Sequence, residues 1–241
     1  MYLLFGGMMK MEENNIIDFE TYRIALAEVI KKLNMMLFIF NENREFGYIV
    51  GGRIKDSESI QLKINKKEKT GDFVSVSDSI SDIAGCRVVF CDVRYELVKL
   101  DELNDIIASL SREEFTYEMF DFLQNDKNCD VDVIYKFVDY FCKCSGMKII
   151  EMNDYIRDPK DSGYQSLHLV VETNKGIKVE IQFRNLVQHL WAESEHREIY
   201  NSKKSDEDIS NNDLFYQKLA PFVHKSSKSN KKKSKVKRIT K

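Results

Sequence analysis

Apolar and polar residues alternate along residues 177–184, which is typical of a β-strand with one buried face. The apolar side carries Ile177, Val179, Ile181 and Phe183, and the polar side carries Lys178, Glu180, Gln182 and Arg184. A second strand is predicted over Ser166–Glu172, and the turn at 174–176 predicts that the two segments pair as a β-hairpin. His168 and Glu180 are then expected on one face as cross-strand neighbours.

Helical spacing of apolar residues predicts an amphipathic helix from Asp18 to about Leu37. Glycine, capping and turn residues divide the rest of the chain. The further expected elements are, in order, a break at Gly51-Gly52, a helix near Ser57–Lys67 with Asp56 or Ser57 as N-cap, a short helix Ser77–Ala84 ended by Gly85, a strand Cys86–Phe90, helices within 95–145, a strand Met147–Glu151, a loop 158–163 and a helix Leu186–Tyr200.

Strands mixed with helices, including a hairpin, predict a single α+β domain rather than a doubly wound sheet. The expected organisation has four parts. They are an N-terminal extension (1–17), the main domain (18–204, with 95–145 as a candidate helical insertion), a C-terminal helix (205–224) and a Lys/Ser-rich tail (225–241) that is predicted to be disordered.

The charge of the chain is unevenly distributed. The net charge is −2, yet residues 225–241 contain nine Lys or Arg and no acidic residue, so residues 1–224 carry −11. An acidic body argues against a general nucleic-acid binder, whereas the basic tail is a candidate RNA contact.

The cysteines and apolar segments indicate the compartment. Five cysteines without a Cys-x-x-Cys pair predict reduced thiols and give no support to a zinc site. No apolar segment approaches the length of a membrane-spanning helix, and Tyr2–Phe5 is too short for a signal peptide. We therefore expect a cytoplasmic protein without a membrane contact.

The first group of chemically interesting residues precedes and enters the second predicted helix. Arg53 and Lys55 share one side of an extended segment, and Ser59 and Lys63 share one helix face. Free backbone N–H groups at a helix start, together with these cations, suit a phosphate. The alternative is a solvated basic surface.

Two further groups lie later in the chain. Asp82 and Arg87 flank a turn and suit a metal and a phosphate, with a mutual ion pair as the alternative. Tyr164 follows a glycine in a loop, which is a common way to present a ring for base stacking. The alternative for His168 is a satisfied core histidine. The third group comprises Lys160, Tyr164, Gln165, His168, Glu180, Gln182 and Arg184.

Five motifs occur in a fixed order over residues 18–204. They are Arg53-Ile-Lys-x-x-x-Ser-Ile-x-x-Lys63, Asp82-Ile-Ala-Gly-x-Arg87, Asp154-Tyr-Ile-x-x-Pro-Lys-x-x-Gly-Tyr-x-Ser-Leu-His168, Val179-Glu-Ile-Gln-x-Arg184 and Trp191-Ala-x-x-Glu-His196. This series closely resembles the RelA/SpoT family of (p)ppGpp synthetases, and among them the single-domain small alarmone synthetases.

The resemblance implies transfer of pyrophosphate from ATP to the 3′-hydroxyl of GTP or GDP, with GMP as a further candidate, in the presence of Mg²⁺. It implies a mixed β-sheet flanked by helices, similar to nucleotidyltransferases, and a homo-oligomer with a tetramer as the expected size. Positive clamps, a bridging metal and a positioned base are what phosphoryl chemistry needs.

The resemblance also assigns roles. ATP phosphates would be held by Arg53, Lys55, Ser59, Lys63 and Arg87. Asp82 would bind Mg²⁺, and Glu180 would bind Mg²⁺ or act as the base on the 3′-hydroxyl. Tyr164 would stack on guanine, and the other acceptor contacts would be Lys160, Gln165, His168, Gln182 and Arg184.

The chain departs from the family in two places. Ser162 stands where an Asn usually precedes the Gly-Tyr pair, which puts acceptor choice in question. The segment 91–153 is longer than expected of small synthetases.

No His-Asp dipeptide or hydrolase-sized N-terminal region is present, so synthesis without degradation is expected. Two alternatives remain, a toxin-like enzyme that pyrophosphorylates tRNA 3′ ends and an inactive RNA-binding regulatory module.

Overall fold

The computed structural model describes residues 17–43, 45–91 and 131–195. These ranges contain five helices and five strands. In chain order they are α1 (Phe19–Phe40), β1 (Gly47–Ile54), α2 (Ser57–Thr70), α3 (Val76–Ser79), β2 (Ala84–Cys91), α4 (Val131–Cys144), β3 (Lys148–Asp154), β4 (Leu167–Glu172), β5 (Lys178–Asn185) and α5 (Leu186–Glu195). Among these helices, none combines the length and apolar character needed to cross a membrane.

The five strands form one sheet in the order β1-β2-β5-β4-β3. β2 and β5 run parallel to each other, and the other neighbours are antiparallel. The sheet is therefore mixed, and the predicted α+β class is confirmed. The predicted hairpin is β4–β5, and its turn includes Gly176 at φ 76°, a left-handed conformation that favours glycine.

The hydrophobic core lies on the sheet face that packs against α1 and α4. Phe137 of α4 is fully buried at its centre, with ring centroids 5.4 Å from Phe40, 5.8 Å from Phe90 and 5.9 Å from Phe183. Since β5 alternates, Phe183 enters this core while its neighbours in sequence point to the opposite face. The core thereby fixes which side of the sheet carries polar chemistry.

The helix starts agree with the sequence. Asp18 caps α1 by accepting from the backbone N–H groups of Glu20 and Thr21, and Asp56 caps α2 by accepting from that of Ser59. Gly71 ends α2 in the left-handed conformation at φ 76°. The start of α2, where the ATP-binding residues were predicted, is therefore held by a side-chain cap.

Two glycine positions correct the sequence-based prediction. Gly51 and Gly52 do not break the chain but lie inside β1. A Cβ at Gly52 would lie 2.7 Å from Cδ1 of Ile30, so the glycine lets α1 approach the strand closely. Gly85 does not end a helix either. The short helix α3 is only four residues long, and Gly85 is the second residue of β2.

Several predictions lie outside the described residues. They concern the N-terminal extension up to residue 16, most of the proposed insertion at 95–130, the C-terminal helix and the basic tail. Within 95–145, the described part is α4, which is helical as predicted.

Candidate active site

The polar face of the sheet collects side chains from its three central strands. Arg87 of β2 lies opposite Gln182 of β5, and Gln182 lies opposite His168 of β4. Glu180 lies opposite Gly85, which contributes no side chain. The register thus places charged and amide groups side by side across the parallel β2–β5 pair, on the face opposite the core.

Asp82 lies in the loop before β2, where two lysines converge on it. Lys55 Nζ lies 2.5 Å from Asp82 Oδ2, and Lys63 Nζ bonds the same oxygen. The backbone N–H of Lys55 donates to the carbonyl of Ile83 at 2.8 Å, which brings the end of β1 beside this loop. The two lysines of the first predicted group therefore converge on Asp82. The alternative pairing of Asp82 with Arg87 is not what the structure shows.

Burial and charge oppose each other at this cluster. Burial works to raise the pKa of Asp82, but Lys55 and Lys63 outweigh it and the pKa falls below its ordinary value. Burial lowers the pKa of Lys55, with Asp82 acting in the opposite direction. Burial acts to lower the pKa of Lys63 as well, yet Asp82 raises it overall. Asp82 is thus ionised at neutral pH and paired with positive charge.

Glu180 receives hydrogen bonds on both of its oxygens. His168 Nδ1 lies 3.0 Å from Oε1, and Gln182 Nε2 donates to Oε2 at 2.7 Å. Burial works to raise the pKa of Glu180, but His168 and Gln182 lower it overall. The predicted contact between His168 and Glu180 is present, although the register makes them diagonal rather than direct neighbours.

Tyr164 links His168 to Arg184. Its hydroxyl lies 2.7 Å from His168 Nε2 and accepts from Arg184 Nη2 at 2.5 Å. The same Arg184 nitrogen donates to Gln182 Oε1 at 2.7 Å. Together with the two bonds to Glu180, these contacts form a closed ring of hydrogen bonds through Arg184, Tyr164, His168, Glu180 and Gln182, here called the Glu180 ring.

A partly buried carboxylate from α5, that of Glu193, supports the two arginines. Arg87 Nη1 donates to Glu193 Oε1 at 2.5 Å, and Arg184 Nη1 lies 3.8 Å from the same oxygen. Burial, helped by the charge of Arg184, lowers the pKa of Arg87 to about 10. His189 is fully buried beside them, and burial together with Arg87 and Arg184 holds its pKa well below the ordinary value. This imidazole is therefore neutral.

The loop between β3 and β4 brings cations and rings together. Lys160 Nζ lies 4.7 Å from the ring centre of Tyr164 and 4.8 Å from that of Tyr155. The Tyr155 ring packs edge-on against His168 at 5.1 Å. Gly163, at φ 84°, donates its N–H to the Lys160 carbonyl at 2.8 Å and shapes this turn. Tyr155 was not singled out from the sequence.

Three predicted site residues lie at the margins. Arg53 is exposed at the end of β1, on the same face as Arg87 by register. Ser59 donates its hydroxyl hydrogen to Asp56, the cap of α2, at 2.7 Å. Gln165 is buried and accepts from Gln188 of α5 at 3.0 Å, so its side chain joins the segment before β4 to α5 rather than facing the Glu180 ring.

Two carboxylates suit a divalent cation on this face. Asp82 and Glu180 are close enough that the charge of Asp82 acts on the pKa of Glu180. No group of three or more His, Cys, Asp or Glu side chains with metal-binding geometry occurs in the described ranges. Mg²⁺ characteristically takes one or two carboxylates and completes its shell with water and substrate phosphates. The donor set therefore fits Mg²⁺ and is a poor match to zinc.

Comparison with known proteins agrees with this chemistry. Residues 52–205 match the family model described as a region found in RelA / SpoT proteins. The chain is 38% identical over 194 residues to the GTP pyrophosphokinase YwaC of Bacillus subtilis, with 74% of this chain and 71% of the relative covered. It is 26% identical over 185 residues to GTP pyrophosphokinase YjbM of the same organism, covering 73% and 68%.

Solved structures share the fold. A GTP pyrophosphokinase family protein from Streptococcus pneumoniae superposes with a TM-score of 0.57 and 25% identity, covering 86% of this chain and 87% of the other. The small alarmone synthetase 1 of Bacillus subtilis, bound to its product pppGpp, gives a TM-score of 0.57 at 23% identity, covering 86% and 88%. The fold is that of an alarmone synthetase domain. The chain belongs to the RelA/SpoT family.

Proposed function

We propose that this protein transfers the β,γ-pyrophosphate of ATP to the 3′-hydroxyl of GTP or GDP, producing (p)ppGpp-type alarmones and AMP. The observation that carries the proposal is the convergence of the family's charged motif residues on one polar sheet face. Asp82 with its two lysines lies at one place on that face, and the Glu180 ring lies beside it. The relatives named GTP pyrophosphokinase support the same reaction.

The cations divide between the two nucleotides in this proposal. Lys55, Lys63 and Arg87, with the exposed Arg53, contact the ATP phosphates, and Ser59 contributes at the start of α2. Arg87 is preorganised for this because Glu193 already holds its guanidinium. Asp82 is the anionic partner that the two lysines share. Phosphate binding would therefore replace one anionic partner by another.

The acceptor nucleotide would lie against the loop of Lys160 and Tyr164. Stacking on the Tyr164 ring provides affinity for a base, and the Lys160 ammonium beside this ring suits an anionic nucleotide. Gln182, Arg184 and His168 contribute from the sheet. Gln165 contributes only indirectly, because its buried contact with Gln188 fixes the start of the β4 segment.

Catalysis requires that the 3′-hydroxyl lose its proton, to Glu180 or to water, as its oxygen bonds to the β-phosphorus and the bond to the AMP oxygen breaks. We assign Mg²⁺ to Asp82 and Glu180, where it would supply charge neutralisation at the phosphates when bound. The lowered pKa of Glu180 keeps it ionised, which suits a metal ligand and leaves it a weak base.

Finer properties rest on the sequence and family resemblance. We propose a homo-oligomer, with a tetramer as the expected size, in the cytoplasm. We also propose that the tail, residues 225–241, is the part that contacts RNA if RNA binds at all, since the body is acidic. The two alternatives are less well supported. Asp82 and Glu180 are both present, which argues against an inactive module, and the two relatives are named GTP pyrophosphokinases, which favours a guanine nucleotide as acceptor.

The direct test incubates purified protein with ATP and Mg²⁺ and, separately, GTP, GDP, GMP or tRNA. Anion-exchange chromatography should resolve a guanine nucleotide bearing two additional phosphates, with one AMP formed for each product. Glu180→Gln should reduce turnover by about 10²-fold or more. Transfer of pyrophosphate to tRNA alone would establish the toxin-like reaction. Folded protein that forms AMP neither with a guanine nucleotide nor with tRNA would refute transferase activity.

A further inference from the structure

The direction of each hydrogen bond in the Glu180 ring follows from the donor inventory of its members. A guanidinium has donors and no acceptor, so Arg184 Nη2 donates to the Tyr164 hydroxyl at 2.5 Å. The one hydroxyl hydrogen of Tyr164 is available to His168 Nε2, 2.7 Å away. On the other side of the imidazole, the ionised carboxylate of Glu180 can only accept from Nδ1. In a neutral imidazole, a nitrogen that accepts requires the other to carry the proton.

The remaining bonds complete the same pattern. With Nε2 accepting, His168 Nδ1 carries the hydrogen and donates to Glu180 Oε1 at 3.0 Å. On the other side of the ring, the second hydrogen of Arg184 Nη2 is directed to Gln182 Oε1, and Gln182 Nε2 donates to Glu180 Oε2. The path through Tyr164 and His168 and the path through Gln182 both start at one buried arginine nitrogen and end at the two oxygens of one carboxylate. No member of this ring is left with two donors, or two acceptors, facing each other.

We propose that the Tyr164 hydroxyl is a positioning group, which fixes His168 in the Nδ1–H tautomer so that its imidazole holds the Glu180 carboxylate in place. This function is separate from base stacking, which needs only the aromatic ring. It also makes Tyr164 differ from phenylalanine in a defined way. Without the hydroxyl, His168 Nε2 loses its donor, and the contact with Glu180 is the one remaining interaction of the ring that selects this tautomer.

The hydrogen-bond directions also limit proton transfer through the Glu180 ring. Since Arg184 accepts no hydrogen bond, a proton that reached Tyr164 from His168 would have no acceptor at the end of the ring. The Glu180 ring therefore orients Glu180 and does not conduct protons away from it. This distinguishes a positioning role for His168 from a proton-shuttle role.

The kinetic test compares Tyr164→Phe with wild-type protein and rests on the proposed function. Loss of one hydrogen bond predicts that kcat falls about three- to ten-fold, while the KM for the guanine nucleotide changes by less than about two-fold because the ring remains. Tyr135→Phe is the matched control, because it also loses a bonded hydroxyl, here donated to Asp154 at 3.1 Å outside the ring. Its kcat should stay within about two-fold of wild type.

A double-mutant cycle tests whether the hydroxyl acts through His168. In a His168→Asn background, where no Nε2 exists, Tyr164→Phe should change kcat by less than about two-fold. The inference is overturned by an unchanged kcat in Tyr164→Phe, by an effect confined to the nucleotide KM, or by the same loss of kcat in both backgrounds.

A spectroscopic arm is independent of activity. Protein labelled with ¹⁵N-histidine is measured at about pH 8.5, where an ordinary imidazole is neutral, and His168 is assigned by the signals lost in His168→Asn. Wild-type His168 should carry its proton on Nδ1, and Tyr164→Phe should shift it towards a mixture of tautomers. An Nε2–H form in the wild-type protein would overturn the inference even if alarmone synthesis is established. The expected tautomer in a protein without synthetase activity would instead count against the proposed function alone.

Discussion

Glu193 Oε1 accepts a hydrogen bond from Arg87 Nη1 at 2.5 Å, and this pair links α5 to the polar face of β2. Both side chains are largely buried, with 17% of Arg87 and 23% of Glu193 exposed. Arg184 also lies within 4 Å of this carboxylate. One acid from a helix that follows the hairpin thus keeps two neighbouring guanidinium groups from simply repelling each other.

Glu193→Gln should therefore weaken ATP binding. The amide keeps the size of the side chain but removes the charge that offsets Arg87 and Arg184, so Arg87 is held less firmly where phosphate binds. We expect the KM for ATP to rise about three- to ten-fold, with a smaller change in the KM for the guanine nucleotide. Steady-state kinetics with each nucleotide varied in turn measures both.

Glu172→Gln is the matched control for this change. Glu172 is equally accessible, at 25% exposed, and its partner Lys148 lies 2.9 Å away near the β3 edge of the sheet. Removing the charge of Glu172 should leave the KM values for ATP and for the guanine nucleotide within about two-fold of wild type. Equal effects of the two substitutions would mean that Glu193 contributes to general stability and not to phosphate binding.

Asp82→Asn should lower activity and raise the Mg²⁺ requirement. The substitution removes the charge of the proposed Mg²⁺ ligand and leaves Lys55 and Lys63 without their shared anion. We expect a loss of about 10²-fold at ordinary Mg²⁺ concentration, with partial recovery as Mg²⁺ is raised. A Mg²⁺ titration of turnover measures this.

The control for Asp82→Asn is Asp139→Asn, which removes an exposed partner of Lys143 on α4. Its Mg²⁺ dependence should match that of the wild-type protein. A parallel loss of activity at all Mg²⁺ concentrations in Asp82→Asn, without a shift in the half-saturating value, would argue against a metal role for Asp82.

The β4–β5 hairpin was predictable because the alternation of apolar and polar residues determines both how the two strands pair and which face of each strand is buried. The apolar set of β5 is buried, and the polar set, including Glu180 and Gln182, shares the other face with His168. A one-residue change of register would have exchanged the two sets, so burial strongly selects the observed register. Strand alternation and the turn at 174–176 thus indicated a contact between His168 and Glu180.

Other features needed tertiary information. β1 was missed because its two central glycines read as a break, whereas the structure uses Gly52 to admit α1. No role was assigned to Glu193 or His189 from the sequence, although both contact Arg87. The available signal was the polar content of an otherwise buried helix, since a buried acid requires a buried base nearby. Which base it meets depends on how α5 packs on β2.

His189→Asn should flatten the pH dependence of stability near neutrality. The folded protein keeps His189 neutral because burial and Arg87 lower its pKa, whereas in the unfolded chain a histidine titrates near about 6.5. Below that pH the unfolded state binds a proton that the folded state does not. As the pH is lowered below about 6.5, the free energy of unfolding therefore decreases, by up to about 1.4 kcal/mol per pH unit from this group.

The comparison is between chemical denaturation of wild type and variant at about pH 7.5 and about pH 5. The stability advantage of the wild-type protein should narrow by about 1–2 kcal/mol over this interval. The acids whose pKa values are lowered, Asp82 and Glu180, begin to lose their stabilising contribution only below about pH 5. Both proteins contain them, so they do not affect the comparison. A constant difference between the proteins would show that His189 titrates alike in both states.

Phe137→Ala should strongly destabilise the fold. The Phe137 ring is fully buried and contacts rings from α1, β2 and β5, so its removal leaves a cavity between the helices and the sheet. Phenylalanine-to-alanine changes in cores cost about 3–5 kcal/mol.

Phe38→Ala is the matched control, because Phe38 is 76% exposed on α1 and its loss should change stability by at most about 0.5 kcal/mol. Thermal and denaturant unfolding of the two variants under one set of conditions measures the difference. Equal destabilisation would mean that the outer surface of α1 is buried in the functional protein, and an unaffected Phe137→Ala would contradict the packing of α4 against the sheet.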